Sequence, residues 1–458
     1  MKLRDYQAET IARLRELFRG HRRVLLCLPT GGGKTVIFSH IAKLARSECV
    51  VLVHRRELQE QAARALARVG AQGVTVEMIM TYRNKVKRGE PTPGFVIIDE
   101  AHRGEFIKLL EIIPENTFVL GVTATPILTG KRSLSEFYSG YYEPLTTGDL
   151  VEKGYLCRCA HYGVPEVKEV KLYVRQGEYT PESQEEYFRG AGGVENVLNM
   201  YHQYAAGRQA VVFCPSLKLA REIAGAFGDT AEIVDGGMDT RQREAIIEGF
   251  KRGDIRILTN VDIVTTGFDY PALDTIILAR KTKSRALYFQ MLGRGARKHP
   301  GKDYFTVLDL GNNFQEHGLY DDPTNRWEPY FYGNHLKKSA GDEQGVPPAK
   351  SCIECLALLH PRAQFCHVCG AEQPKPKKEA VRVEKMVEIS KLISKRWEEL
   401  AIDELDAYAS AKGYKHHWVI HQLLRRGRHA LEEYAALKGY KHGWVAFTLS
   451  KIAKNKLV

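Results

Sequence analysis

Four clusters of residues in this chain have the types and spacing to do chemistry. The first is Leu28-Pro29-Thr30-Gly31-Gly32-Gly33-Lys34-Thr35. Successive glycines let backbone N–H groups converge on phosphate oxygens, and a helix opening at Lys34 adds the positive end of its dipole. Lys34 would then reach β- and γ-phosphates, and the Thr35 hydroxyl would hold Mg2+. The strict pattern has Gly where this chain has Leu28, and a glycine loop that binds nothing is the alternative for this stretch alone. The second cluster, Asp99-Glu100-Ala101-His102, follows the apolar run Phe95–Ile98. Its acids therefore stand at the carboxyl end of a strand, where parallel sheets bind ligands. Asp99 suits Mg2+ and Glu100 suits orienting or deprotonating water; a solvated acidic loop is the bland alternative.

The third cluster is Gln290-Met291-Leu292-Gly293-Arg294-Gly295-Ala296-Arg297. The spacing predicts a helix with both arginines on one face. A guanidinium aimed at a γ-phosphate would neutralise charge that develops during transfer, whereas an exposed basic helix would do nothing of the kind. The fourth is Cys352-x-x-Cys355, ten residues, then Cys366-x-x-Cys369. Two knuckles of this spacing can set four thiolates around Zn2+, and the segment has too little apolar content to fold without the metal. Incidental surface thiols are the competing explanation.

The elements that must position these residues alternate. Apolar runs at Val24–Leu28, Val50–Val53, Phe95–Ile98 and Phe118–Val122 are separated by helical stretches, from Lys34 to about Arg46 and from Glu57 to Val69. Such a rhythm predicts a parallel sheet covered on both faces. It breaks over 158–193, a connector with a strand or two, and resumes at Gln209–Cys214, Glu232–Val234, Arg256–Leu258, Thr275–Ala279 and Tyr304–Leu308. The expected fold class is thus α/β, with two tandem parallel-sheet lobes over 1–157 and 194–335. A small four-cysteine zinc ribbon (350–372) and a helical tail (385–458) follow. The stretches 336–351 and Pro374–Lys378 look like linkers.

Composition narrows the class further. At 458 residues there is room for two or three cores. No apolar run approaches the ~20 residues of a membrane span, and Met1–Asp5 begins no signal peptide, so a cytoplasmic protein is expected. The formal net charge of +12 favours a polyanionic partner. Residues 371–458 hold 18 Lys and Arg against 11 Asp and Glu, more than half of that excess. There the segment Tyr408–Val419 recurs as Tyr434–Val445. Tyr414, Trp418, Tyr440 and Trp444 beside Lys415 and Lys441 would either stack on bases or pack as a small core of their own.

In order and spacing these motifs resemble a superfamily 2 helicase of the DEAD/DEAH-box type over residues 1–320, which implies that the two lobes are RecA-like. Arg4-Asp5-Tyr6-Gln7 is similar to the element that contacts adenine, Lys34 and Thr35 to motif I, and Asp99–His102 to motif II in its DEAH spelling. Val53–Leu58 resembles motif Ia, Thr123–Pro126 motif III, and Val211–Cys214 motif IV. Thr266-Gly267-Phe268-Asp269 resembles motif V, and Gln290, Arg294 and Arg297 resemble motif VI. Arg103, the His54–Leu58 spelling, the Gly293–Lys302 block, the cysteines and the Gly-Tyr-Lys-x-x-Trp tail are most similar to RadD-like DNA-repair helicases of bacteria and phages.

That resemblance implies catalytic roles for Lys34, Asp99, Glu100, His102, Gln290, Arg294 and Arg297. It implies nucleotide contacts from Arg4, Gln7, Thr30, Gly31, Gly32, Gly33, Thr35, Gly267 and Asp269, with ATP, Mg2+ and Zn2+ as cofactors. It further implies a monomer acting on single-stranded or forked DNA in a bacterial or phage-infected cell, with motifs Ia, IV and V holding a backbone, and a repair or replication protein as a further partner. The expected activity is ATP-driven unwinding or remodelling of DNA. An ATP-switched recruiter and a duplex translocase or branch-migration enzyme use the same parts.

Overall fold

The computed structural model describes residues 3–128, 130, 132–164, 170–261, 268–333, 349–374, 399–412, 414, 416–440, 443–446 and 448–449. Two units are distinguished, Met1–Pro374 and Lys375–Val458. Among the described residues no helix is long and apolar enough to cross a membrane.

The first unit contains two six-stranded, all-parallel sheets. The first lobe is built from β1 (Arg23–Cys27), β2 (Cys49–Val53), β3 (Val74–Met78), β4 (Phe95–Asp99), β5 (Phe118–Thr123) and β6 (Gly140–Tyr142), in the order β3-β2-β4-β5-β1-β6. Every residue of Cys49–Val53 is buried, as a strand with helices on both faces requires. The sequence pattern does not show β3, a half-buried edge, or β6, only three residues long. Gly121 in β5 is fixed by packing. A Cβ there would lie 2.6 Å from the ring of buried Tyr138 and 2.7 Å from Leu25. We expect Gly121→Ala to destabilise the unit by about 1–3 kcal/mol through overpacking, measured by denaturant unfolding.

The second lobe begins earlier than the sequence suggests. β7 (Arg158–Gly163), assigned above to a connector, pairs in parallel with β14 (Tyr304–Asp309) along six residues. β8 (Val174–Arg175) and β9 (Glu178–Tyr179) form a separate hairpin. With β10 (Ala210–Phe213), β11 (Ala231–Val234), β12 (Ile257–Asn260) and β13 (Thr275–Leu278), the order is β11-β12-β10-β13-β14-β7. The chain between the lobes is then Lys153–Cys157, bounded by the helix Thr147–Glu152 and β7.

The second lobe's last residues return to the first lobe. Phe331 stacks on Tyr141 at 4.4 Å and is buried in the first lobe's core, and the Trp327 N–H donates to Glu143 at 3.1 Å. The cysteine ribbon, with β15 (Lys350–Ser351) and β16 (Leu358–Leu359) antiparallel, also packs on the second lobe. Cys352, Ala357, Leu359 and Cys366 join the same apolar cluster as Ala160, Tyr162 and Leu308.

The second unit has helices Leu405–Ala411, His416–Arg426 and Arg428–Leu437 around Leu405, Val419, Leu423, Leu431 and Tyr434. Each repeat stacks its Trp on its own tyrosines: Trp418 on Tyr414 at 4.9 Å and Tyr408 at 5.7 Å, Trp444 on Tyr440 at 4.6 Å. This favours the packing account of the tryptophans, while Tyr414 and Tyr440 stay exposed. Lys415 and Lys441 lie outside the described residues.

Candidate active site in the interlobe cleft

The parallel sheet puts the loops after β1 and β4 at one edge, as such sheets do for their ligands. Gly31 and Gly33 have φ of 82° and 83°, left-handed values that glycine adopts without strain, and the helix Lys34–Leu44 starts immediately afterwards. The departure at Leu28 has a packing cause. Leu28 is fully buried, its N–H bonds Thr123 O at 3.0 Å, and a Cβ on Gly32 would meet its side chain at 2.8 Å. A larger residue at 28 therefore goes with none at 32. Gln7 supports the loop from behind: its Oε1 accepts from Arg4 N at 3.0 Å and its amide packs on Gly33, while the Tyr6 hydroxyl donates to Gly32 O at 2.7 Å.

A cavity of about 600 Å³ opens in front of this loop. From the first lobe it is lined by Arg4, Thr30, Gly31, Gly33, Lys34, Thr35, Asp99 and Glu100, and from the second by Asp269, Arg294 and Arg297. Gln7, Gly32, His102 and Gln290 stand behind the lining, and Gly267 lies outside the described residues. The two arginines are not on the helix expected for them: it spans Arg285–Leu292, and Gly293 ends it. A Cβ on Gly293 would sit 2.7 Å from Thr30, so glycine permits the close approach of the lobes, and the turn beyond presents both guanidinium groups to the cavity. Arg294 Nη1 donates to Phe268 O at 2.9 Å, and Arg297 is ion-paired with Asp269.

Charges in the cavity perturb one another. Burial pushes Lys34 down, with Glu100 and Asp99 opposing; its Nζ rests 3.3 Å and 3.4 Å from the carbonyls of Leu28 and Pro29. Asp99 is pushed up to about 7 by burial and then by Glu100. Burial also pushes Glu100 upward, but Lys34, His102, His54 and Arg294 outweigh it and hold this carboxyl low. Glu100 has φ of 56°, a conformation that costs energy and concentrates at functional sites. Its Oε2 is buried with no hydrogen bond, and His102 Nδ1 lies 3.4 Å from it. An orphaned carboxylate oxygen beside a lysine, a hydroxyl and a phosphate-shaped loop fits Mg2+ and a triphosphate.

A relay connects the acid to the other lobe. His102 Nδ1 lies 3.4 Å from Glu100 and 2.8 Å from Thr123 Oγ1; Thr125 N donates to the same Oγ1 at 3.0 Å; Gln290 Nε2 donates to Thr125 Oγ1 at 3.0 Å. The contact that Gln290 makes across the cleft thus leads, through Thr125, Thr123 and His102, to the Glu100 carboxylate. Several further lining residues carry no sequence signal for the nucleotide, among them Tyr155, Leu156 and His54. Tyr155 carries the Arg4 guanidinium at 4.7 Å over its ring, and Leu156 touches Gly31. His54, which the motif Ia resemblance assigns to DNA, lies in this cavity with both ring nitrogens unpartnered and is pushed down to about 4 by burial and then Arg103.

The four ribbon sulfurs lie within 4.8 Å of one another. The Cys352–Cys369 and Cys355–Cys366 separations are both 3.7 Å, close to the edge of about 3.8 Å of a tetrahedron with Zn–S near 2.3 Å. Glu354 N and Val368 N each point at a sulfur at 3.4 Å, as amides do for thiolates. The cluster is compatible with zinc.

Comparison with known proteins agrees with this geometry. The model of the type III restriction enzyme res subunit matches residues 1–92, and that of the helicase conserved C-terminal domain matches 193–299. A 51.5 kDa protein of a Lactococcus phage is 29% identical over 371 residues, which are 79% of this chain and 81% of that one. The Saccharomyces cerevisiae protein named "Putative ATP-dependent helicase IRC3" is 28% identical over 354 residues, and the match spans 67% of this chain but 51% of the yeast protein. Among solved structures, "The fragment structure of a putative HsdR subunit of a type I restriction enzyme from Vibrio vulnificus YJ016" aligns with a TM-score of 0.57 at 20% identity, over 70% of this chain and 67% of that one. Each lobe lines one side of the cavity and carries its own family match, and these matches together with the helicase relatives support a superfamily 2 helicase, a nucleic-acid-dependent ATPase.

Proposed function

We propose that this chain hydrolyses ATP between its lobes and uses the resulting opening and closing to translocate on DNA and part or remodel its strands, in repair or recombination. The observation that carries this reading is the shared cavity: Lys34 and Glu100 of one lobe face Arg294 and Arg297 of the other. Hydrolysis then requires both lobes, so chemistry and movement are one event.

In that reaction Lys34 leaves the Leu28 and Pro29 carbonyls for the β- and γ-phosphates. Thr35 and Asp99 would hold Mg2+, which would supply positive charge to offset that of the phosphates. Glu100 orients the attacking water and accepts its proton. Arg297 and Arg294 stabilise charge on the departing γ-phosphoryl group, and Arg4 with Tyr155 offers a flat surface to the base. The ribbon's four cysteines would hold Zn2+ in a structural role. The net charge of +12 suits the phosphate backbone of the track.

The test measures steady-state ATP hydrolysis with no nucleic acid, single-stranded, duplex and forked DNA, and RNA, alongside strand displacement. We expect DNA to stimulate turnover several-fold, most with single strands or forks. Hydrolysis indifferent to DNA would sink the proposal. DNA-stimulated hydrolysis with neither displacement nor translocation would leave the ATP-switched recruiter in its place.

A further inference from the structure

We propose that the cysteine ribbon positions the arginine that completes the active site, and that His367 is the residue through which it does so. The inference rests on the ATPase reading above.

His367 lies between the last two cysteines, in the knuckle Cys366-His367-Val368-Cys369. Its Nε2 donates to the carbonyl of Cys159 at 2.7 Å. Cys159 belongs to β7, the last strand of its sheet, paired on one side only. An edge strand offers unpaired backbone groups along its open side, and the imidazole takes one of them. The contact is backed by packing, because Leu359, Ala357 and the sulfurs of Cys352 and Cys366 share an apolar cluster with the lobe beneath β7. The N–H of the same residue donates to Asp321 at 3.4 Å.

Two residues upstream, the strand becomes the interlobe connection and enters the nucleotide cleft. Cys157 N donates to Ala296 O at 2.8 Å, and its thiol points at the carbonyl of Arg297 at 3.4 Å. Leu156 forms an antiparallel bridge with Arg297 itself. A Cβ on Gly31 would meet Leu156 at 2.9 Å and the Arg297 side chain at 3.5 Å. The backbone that carries Arg297 is therefore bonded to 156–157, which rests on the phosphate loop. From the knuckle to this arginine there is one hydrogen bond, two residues of strand and one backbone bridge. Active-site groups act well only when their supports fix them to fractions of an ångström. A loosened β7 would let Arg297 drift from the position that the transferring phosphoryl group needs.

His367 touches no reacting atom, so its removal should alter turnover and transition-state affinity rather than ground-state binding. In full-length, zinc-loaded His367→Ala we expect DNA-stimulated kcat to fall by about 10- to 100-fold, the cost of a misplacement near 1 Å, with KM for ATP within about twofold. Affinity for ADP with aluminium fluoride, which mimics the phosphoryl group in flight, should fall in parallel while affinity for ADP alone holds. Zinc content should stay at one per chain, and His367→Gln, whose amide can donate, should recover most of the loss. In an Arg297→Ala background the same substitution should add nothing, since both act on one interaction. Additive effects in that double-mutant cycle, or unchanged kcat and analogue affinity with zinc retained, overturn the proposal. So does a loss that follows zinc release and that His367→Gln does not repair. If the parent protein lacks ATPase activity, the functional reading itself fails; if the parent is active and the cycle is additive, only the role of His367 does.

Discussion

Replacing Glu100 with Gln is expected to lower DNA-stimulated ATP turnover by about 10²- to 10⁴-fold, the range for losing a positioned general base. Nucleotide binding should survive it. The amide is nearly isosteric, so the left-handed backbone at 100 and the neighbouring contacts persist, but it cannot accept a proton. Lys34, His102, His54 and Arg294 together hold Glu100 ionised despite its burial, and that ionised oxygen is what the substitution removes. Lys34→Ala should be as damaging, by about 10³-fold for a lost cationic contact to the developing charge, and should also weaken ATP binding, because Lys34 engages phosphates in the ground state. Equilibrium binding of a fluorescent ATP analogue beside phosphate-release kinetics separates the two variants. Wild-type turnover in either would remove the assignment of this cleft.

Arg297→Ala carries the second large effect, a fall of about 10³-fold or more in kcat, as expected for an arginine finger supplied from a second domain. The residue is ion-paired with Asp269 and in contact with Leu156 over the phosphate loop. Arg297→Lys should rescue little, because an ammonium cannot reproduce the forked guanidinium contact. Single-turnover hydrolysis distinguishes slower chemistry from slower product release. Chemistry at the parental rate in Arg297→Ala would assign the finger to Arg294 alone. Arg294 is buried and pushed down to about 10 by burial and then Arg297, so it stays cationic at neutral pH.

Much of the candidate site was legible because the residues that line its first-lobe side are clustered in the sequence. Gly31 and Gly33 lie in one loop with Lys34 and Thr35 opening the helix after it, and Asp99 ends one strand with Glu100 next to it; both are short-range patterns. The alternation of buried strands and helices likewise announced two parallel sheets. What escaped was set by long-range contact. β7 looked like connector because its partner β14 is some 146 residues away, and nothing local marks Tyr155 or Leu156 as cleft residues. The arginines were expected on a helix because spacing of three suits one, yet Gly293 ends the helix to let Thr30 come close. His54 sits in a segment whose resemblance pointed to DNA, while its ring lies close enough to Glu100 to help hold that carboxyl low. The ribbon's spacing showed a cysteine cluster compatible with zinc but not that its apolar side joins the second lobe's core.

Among the contacts that the described residues make between the lobes, two segments carry the chain or a buried side chain across, the short crossing Lys153–Cys157 and the returning segment whose Phe331 is seated on Tyr141. Two anchored points leave a rigid body only one easy freedom, a swivel about the line through them. Free separation of the halves would tear Phe331 from its pocket and stretch a five-residue crossing whose full reach is about 17 Å. If the lobes move as proposed, their movement is therefore angular, with its amplitude capped by the crossing's length, and a distance probe placed far from that line will record a larger excursion than one placed beside it.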